Sequence, residues 1–389
     1  VTVCLGLDTI GQVLLRHIAL SSYRNYATLK LDFSGASVVI TGYNGSGKTN
    51  LLEAISLLSP GRGLRHAVYQ DVSSFDAVHH NFSGFGIHAR LNCRTYGEVL
   101  IGTGLVGAGQ NKGGRRIRIN GIPRSADMML EYCRIIWLIP AMDRLFCGAA
   151  GDRRRFLDRM ILAIDPLHGR RVLDYEKAMQ SRNRLLIDNI HDMAWLDAFE
   201  AQMAKLGTAI AIARYEMIRL LNTTTNRLYT GCFPQVELSL EGVVEKILLS
   251  LPTIDVEENF RVLLKEGRAT DRITGRTLVG PHRADLIVIH KEKSIPAGLC
   301  STGEQKALLT GLILSHACLT GQLSGMTPIL LLDEIAAHLD AKHRKVLFDI
   351  LATLGVQAFM TGTDRALFTD LEGRAEFFFV EDGRIYLKS

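Results

Sequence analysis

Gly42-Tyr43-Asn44-Gly45-Ser46-Gly47-Lys48-Thr49 fits G-x-x-x-x-G-K-[ST] at every fixed position, a spacing suited to holding phosphate. The glycines let backbone N–H groups turn toward an anion at the start of a helix, where the helix dipole favours negative charge. Lys48 then reaches the β and γ phosphates of a nucleotide, the Thr49 hydroxyl is placed for Mg²⁺, and Asn50 continues the helix. Far along the chain, Ile329-Leu330-Leu331-Leu332 runs into Asp333-Glu334. A carboxylate at 333 suits a metal shell, and one at 334 suits polarising an attacking water. Each feature alone has a plain alternative, a Gly-rich turn before a helix and a solvated strand end. Together they indicate an enzyme that binds and hydrolyses ATP with Mg²⁺.

These residues need particular elements to hold them. Ser37-Val38-Val39-Ile40 is a β-branched run ahead of the loop, and Leu51, Leu52, Ile55 and Leu58 follow it at helical spacing. The run from Ile329 reads as a parallel strand covered on both faces, and ligands sit at the C-terminal ends of such strands. Ser301-Thr302-Gly303-Glu304-Gln305, ahead of "KALLTGLILSHACL", carries two compatible readings. Ser301 and Glu304 are spaced as a capping box that opens a helix. S-x-G-x-Q also resembles the signature of ABC-type ATPases, whose serine and glycine contact the γ-phosphate held by the other subunit. That resemblance gives Ser301, Gly303 and Gln305 a nucleotide role and places Leu339-Asp340 at the D-loop.

The chain has 389 residues, enough for two domains or one large domain with an insertion. At 47% hydrophobic and 22% charged it is ordinary globular protein, so disorder is not expected. A net charge of +5 permits an anionic partner without demanding one. The seven cysteines are scattered with no C-x-x-C pair, which reads as reduced thiols in the cytoplasm rather than a disulfide frame or zinc site. No run approaches the ~18 apolar residues of a membrane span, so no membrane partner is expected. The opening "VTVCLGLDTIGQVLL" lacks a basic n-region and is not read as a signal peptide.

Lys48 and Ser301 are 253 positions apart (301 minus 48), more than a transporter-energising subunit uses and far fewer than a long-armed SMC head needs. Leu196, Phe199, Met203, Leu206, Ile210, Ala213, Met217 and Leu220 step by three and four as a heptad seam. Val172, Tyr175, Met179, Leu186 and Ile190 form a rougher one, interrupted by Arg182. Two antiparallel helices of about 25 residues would reach about 35–40 Å, although a plain helical core gives the same pattern. The expected architecture is α/β, a P-loop ABC-type ATPase head (lobe I) with a mainly helical insertion bearing a short antiparallel coiled-coil arm (lobe II). Lobe I takes residues 12–145 and 270–389, and lobe II takes 146–269.

Several longer stretches resemble the RecF family of bacterial DNA-repair ATPases. "SSYRNYATLKLDF" is similar to its opening strands, "GYNGSGKTNLLEAI" to its P-loop, and "RRRFLDRMI" (153–161) to its lobe-boundary motif. "AMQSRNRLL" (178–186) resembles the Q-R-N-x-L-L helix of the family's arm, and "VGPHRADL" (279–286) its G-P-H-R-D-D-L, with Ala284 for the first Asp. The resemblance implies an ATP-dependent DNA-binding protein of recombinational repair, replication restart and the response to DNA damage. It implies a homodimer that forms with ATP on gapped DNA or at single-strand/double-strand junctions and promotes recombinase loading, with slow hydrolysis. RecO and RecR are the implied partners, and Arg24 in "YRNY" is an implied nucleotide contact, against a surface Arg. Two departures stand out. The family often carries Asp where this chain has Glu334, and "WLIPAMDRLF" (137–146) has no glutamine where an ABC ATPase has its Q-loop, leaving Asp143 as the nearest polar candidate for the metal shell. The strand "QAFMTGTD" (357–364) lacks a switch histidine, as the family does, so Thr361 or Thr363 is the candidate γ-phosphate sensor, beside the reading of a plain strand-end threonine.

From Val99 to Ala126 the basic residues Lys112, Arg115, Arg116, Arg118 and Arg124 meet no acidic one. "RRIRINGIPR" reads as a hairpin about Asn120-Gly121, with Arg116 and Arg118 on one face. Lys112, Arg115, Arg116 and Arg118 are the candidate contacts to DNA phosphates, double-stranded or gapped. The alternative is an edge strand guarded by charge. Arg153, Arg154, Arg155 and Arg159 interleave with Asp152 and Asp158, which favours internal pairing, and no base-reading motif is visible. His282 and Arg283 fit either a buried, hydrogen-bonded role or the lobe interface where the family places this motif. The rival functions are a metabolite-directed P-loop kinase, which leaves 301–305 unexplained, and a transporter-energising ABC subunit, which fails on the insertion and the missing histidine.

Overall fold

The structure, a computed structural model, describes residues 10–74, 84–105, 114–188, 193–227, 232–381 and 383–388. It divides into two compact units, one of Val1–Asp143, Leu228–Phe233 and Thr302–Ser389, the other of Arg144–Arg227 and Pro234–Ser301.

The first unit contains strands β1 (Val13–Tyr23), β2 (Tyr26–Asp32), β3 (Ser37–Gly42), β4 (Phe85–Cys93), β5 (Gly97–Leu105), β6 (Arg116–Ile119), β7 (Ile122–Pro123) and β8 (Ile135–Leu138). It also contains β12 (Ile329–Leu332), β13 (Ala358–Gly362), β14 (Ala375–Glu381), β15 (Arg384–Leu387) and the helices α1 (Lys48–Ser56), α8 (Thr302–Ser324) and α9 (Ala341–Leu354). One six-stranded sheet runs β2-β1-β4-β5-β6-β7 and is antiparallel throughout. Its strands alternate, so Phe85, Ile87, Ala89, Leu91 and Cys93 of β4 face the core while His88 and Asn92 face solvent. The other sheet runs β15-β14-β3-β13-β12-β8, with every pair parallel except β14–β15. Here β8, β12 and β13 are buried along their whole length, as parallel strands covered on both faces must be. Gln357 joins the two sheets: its Oε1 accepts from Leu15 N at 2.7 Å and its Nε2 donates to Leu15 O at 3.2 Å. Helix α8 is long and apolar enough to cross a membrane, but 78% of its most apolar window is buried inside the protein, so it reads as a core helix.

The second unit holds α2 (Ala150–Leu162), α3 (His168–Ile187), α4 (Met193–Arg227), α5 (Val243–Ser250), α6 (Thr253–Glu266) and α7 (Arg268–Thr274). It also holds a three-stranded antiparallel sheet, β11-β10-β9, of β9 (Val236–Glu241), β10 (Asp285–His290) and β11 (Ile295–Pro296). The division expected at residue 270 therefore falls at 301/302, because β10 pairs with β9 over six residue positions from Asp285 to His290. Along α4, Leu196, Met203, Ile210 and Met217 of the heptad seam are buried, and so are Ala204, Gly207, Ala211, Ile218 and Leu221 beside it. The buried face is wider than a two-helix seam because α6 and β9 cover α4 as well as α3. Arg182, which interrupts the α3 pattern, is fully buried. Its guanidinium bonds Glu200 Oε1 at 2.9 Å, Asp271 Oδ2 at 2.7 Å and Leu264 O at 2.7 Å. A buried charge on an apolar face is tolerated only with such complete pairing.

Candidate nucleotide-binding site

The parallel sheet brings the motif residues together. Strands β3, β13 and β12 lie side by side and point the same way, so Gly42, Gly362 and Asp333 emerge at one edge of the sheet. Gly42 has φ +152 and Gly47 φ +117. A Cβ on Gly42 would lie 2.4 Å from Val380 O, and one on Gly47 would lie 2.4 Å from Asn25 Nδ2, so both positions need glycine for conformation and for space. Helix α1 starts at Lys48 with no side-chain cap and no acidic residue in its first turn. Its leading N–H groups are thus left for an anion. Ser46 Oγ is buried without a hydrogen-bond partner, a polar atom that a phosphate oxygen would satisfy.

Lys48 folds back over the loop, its Nζ donating to Gly42 O at 2.7 Å and Tyr43 O at 2.8 Å. Burial lowers its pKa, opposed by the nearby carboxylates of Glu334 and Asp333. Thr49 Oγ1 lies 3.1 Å from both Asp333 oxygens, and Thr361 Oγ1 donates to Asp333 Oδ1 at 2.7 Å. Thr361 Oγ1 also accepts from Glu334 N at 2.8 Å, which fixes a residue held at φ +53. Thr361 is therefore inside the cluster, while Thr363 is exposed beyond the end of β13. The donor set fits Mg²⁺: one hydroxyl and one carboxylate side by side suffice for an ion that otherwise takes phosphate oxygens and water. Among the described residues no group of three or more His, Cys, Asp or Glu forms an all-protein metal cage.

The loop is braced by residues the sequence signals only weakly. Asn25 Nδ2 donates to Ser46 O at 3.1 Å, Asn50 Nδ2 to Asn25 Oδ1 at 2.7 Å, and Tyr26 OH to Gly47 O at 3.0 Å. Arg24 makes a two-pronged pair with the buried Glu53 of α1 at 2.8 and 2.7 Å and donates to Asp71 O. It thus anchors the helix behind the loop. Arg115, expected among the DNA contacts, instead donates to Leu57 O and Ser59 O at the C-terminal end of α1, and burial lowers its pKa. Carbonyls at a helix end attract a cation strongly. Arg116 and Arg118 do share the exposed face of β6, opposite Gly104 and Gly102 of β5. The turn has φ +50 at Asn120 and φ +80 at Gly121. Lys112 lies outside the described residues.

The remaining candidates sit as follows. Tyr43, Asn44 and Gly45 are exposed, with Tyr43 edge-on to Phe379. Ser301 and Gly303 are exposed, and a Cβ on Gly303 would meet nothing within 4 Å, whereas Gln305 is buried in α8. Asp340 caps α9, its carboxylate accepting from His343 N at 2.8 Å. In the second unit Arg153 pairs with Asp285 through two bonds of 2.7 Å, Arg154 donates to Ala284 O, and Arg155 pairs with Asp152. His282 accepts from Tyr175 OH at 2.8 Å and donates from Nε2 to Thr277 O at 2.9 Å. Burial lowers its pKa, which keeps it neutral, so it is a hydrogen-bonded structural residue within that unit.

Residues 14–385 match the family described as RecF/RecN/SMC N terminal domain. The chain is 60% identical over 375 residues to the DNA replication and repair protein RecF of Brucella suis biovar 1 (strain 1330), covering 96% of each chain. It is 58% identical over 377 residues to that of Mesorhizobium japonicum, covering 96% of this chain and 98% of that one. Among solved structures, the recombination mediator protein RecF of the RecFOR pathway, as RecF-ATPrS, superposes with a TM-score of 0.85 at 25% identity, covering 98% of this chain and 100% of that one. With its P-loop head and these relatives, the chain belongs to the RecF family of DNA replication and repair proteins.

Proposed function

We propose that this chain is an ATP-dependent DNA-binding protein of recombinational repair and replication restart, in which slow ATP hydrolysis switches a homodimer on and off DNA. The observation that carries the reading is the triangle of Thr49, Asp333 and Thr361 beside an uncapped helix N-terminus and a buried, unpartnered Ser46 hydroxyl. The N–H groups of the loop and of α1, with Lys48 and Ser46, hold the phosphates. Thr49 and Asp333 would hold Mg²⁺, which when bound screens charge on the β and γ phosphates. Glu334, fixed through its own N–H by Thr361, orients the attacking water and takes its proton. Ser301 and Gly303, both exposed, face the γ-phosphate of a second copy, and Asp340 orders the neighbouring turn. ADP lacks that phosphate, so hydrolysis releases the dimer.

Arg116 and Arg118 contact DNA phosphates, and the substrate is double-stranded or gapped DNA in the cytoplasm. RecO and RecR are the partners, in keeping with the RecFOR pathway named for the solved relative. Gel filtration with ATP, with ADP and with gapped duplex tests the reading. A dimer is expected only with ATP, stabilised by DNA, and lost in Lys48→Met; a nucleotide-independent state refutes the switch.

A further inference from the structure

His343 lies in the first turn of α9, three residues after Asp340, which caps that helix. Oδ1 of Asp340 accepts from His343 N at 2.8 Å and lies 2.8 Å from His343 Nδ1 as well. The other ring nitrogen, Nε2, is 3.1 Å from the carbonyl oxygen of Cys232. Cys232 and Phe233 belong to the first unit and lie between α4 and β9 in the chain. The Phe233 ring stands edge-on to the imidazole at 5.6 Å.

A carbonyl oxygen only accepts, so Nε2 must carry a proton for that contact to be a hydrogen bond. An ionised carboxylate also only accepts, and bonds from the His343 backbone and ring hold the Asp340 carboxyl below the usual carboxylate range. Nδ1 must then carry a proton too. Neutral imidazole has one N–H, so both contacts are hydrogen bonds only when the ring is imidazolium. The helix dipole opposes a cation in the first turn, but a carboxylate at hydrogen-bond distance is the nearer and larger charge. We infer that His343 is a positioning residue: as imidazolium it clamps Asp340 to the 232–233 segment, and loss of one proton opens the clamp. Histidine changes charge between about pH 5 and 8, so the clamp closes toward the acid side of that range. Three other titratable groups stand near the ring. Burial raises the pKa of the Cys232 thiol and keeps it neutral, Lys342 lies beside that thiol, and Arg344 turns back to Leu339 O at 2.7 Å. Asp340 is still 65% exposed, so a closed clamp presents its carboxylate in one orientation to a second copy. This rests on the composite-site reading and adds to it a residue and a pH dependence.

The test follows ATP-dependent dimerisation by sedimentation from about pH 6 to about pH 8.5, beside NMR of the ring nitrogens in protein carrying isotope-labelled histidine. His343→Gln identifies the His343 signals, and His343→Asn stands in where the glutamine variant fails to fold. Both nitrogens of the wild-type ring should be protonated at about pH 6, and the second proton should persist to higher pH than in Asp340→Asn. As that proton is lost the dimer should weaken about three-fold per copy, or about ten-fold for a symmetric dimer. His343→Gln should be as weak at the acid end as wild type at the alkaline end, with no slope between. Asp340→Asn should lose the slope too, because its amide can donate to Nδ1 and no second proton is needed. A slope that survives in His343→Gln, or a second proton held no more tightly than in Asp340→Asn, overturns the clamp while leaving the nucleotide site intact. Protein that stays monomeric with ATP at every pH refutes the composite-site reading, and the ring signals then decide the clamp by themselves.

Discussion

Replacing Thr361 with valine keeps the volume of a buried side chain and removes one hydroxyl, and that hydroxyl has two duties. It donates to Asp333 Oδ1 at 2.7 Å and accepts from Glu334 N at 2.8 Å. Thr361 is fully buried and Asp333 nearly so, so water does not readily replace either bond. A bond to a charged group contributes about 1.5–3 kcal/mol, and an orphaned backbone N–H costs about 1 kcal/mol. Thr361→Val should therefore lose about 2–4 kcal/mol, a large part of the ~5–15 kcal/mol that holds a typical domain. Thr361→Ser keeps both bonds and should lose much less. Urea titration followed by tryptophan fluorescence reports this, since Trp137 lies in β8 of the same sheet. The functional loss should exceed the structural one, because Glu334, held at φ +53 by this bond, loses its orientation. ATP turnover should fall at least ten-fold in the folded valine variant. A valine variant as stable and as active as the serine one would refute the reasoning.

Glu334→Gln should retain ATP binding, lose turnover and accumulate as an ATP-bound dimer in gel filtration. Ser301→Arg and Lys48→Met proteins should each be inactive, and mixing them should restore part of the activity, because one composite site can form; absence of rescue argues against sharing between subunits. Arg116→Glu with Arg118→Glu should weaken duplex binding and reduce the slope of log affinity against log salt by about 2, at roughly 0.9 for each phosphate no longer neutralised. Burial alone would raise the pKa of Asp158, but hydrogen bonds from His168 and Arg214 win and hold it at about 2. Its stabilising contribution is therefore complete above about pH 4 and lost as pH falls through about 2, so Asp158→Asn should flatten that acid limb in a pH titration of stability.

The elements that hold the chemistry were legible because their constraints are local. A β-branched run, a glycine loop and a helical repeat follow one another at 37–58, and the structure has β3, the loop and α1 there. The Asn120-Gly121 turn could be read because only left-handed conformations close a two-residue hairpin of this hand. What the sequence concealed depends on partners distant in the chain. Arg115 reads like Arg116 and Arg118 in a basic run, yet its position one residue before β6 sends it to the carbonyls of Leu57 and Ser59. Arg24 looks like a nucleotide contact, but Glu53, 29 positions away, claims two of its N–H groups. Arg182 looks like a flaw in a heptad until Glu200 and Asp271 are placed around it. In each case the type of residue was visible and its partner was not.

The bracing of α1 bears on how an ATP-driven switch can work. The helix is held at its C-terminal end by Arg115, along its side by Arg24 on Glu53, and at the loop by Asn25 and Tyr26. Such a loop is preorganised, so little ordering has to occur when phosphate binds, and little of the binding free energy goes into shaping it. The signature turn lies at the surface. Ser301 and Gly303 are exposed, and no atom stands within 4 Å of a Cβ on Gly303. A surface of that kind gains most when something fills the space beside it, and the γ-phosphate on a second copy's rigid loop is shaped to do so. In the proposed dimer, binding and assembly would draw on different parts of the chain, with ATP held by one copy and the site completed by the other. In that proposal a braced loop and an exposed signature turn make the γ-phosphate, rather than nucleotide as such, the signal for assembly.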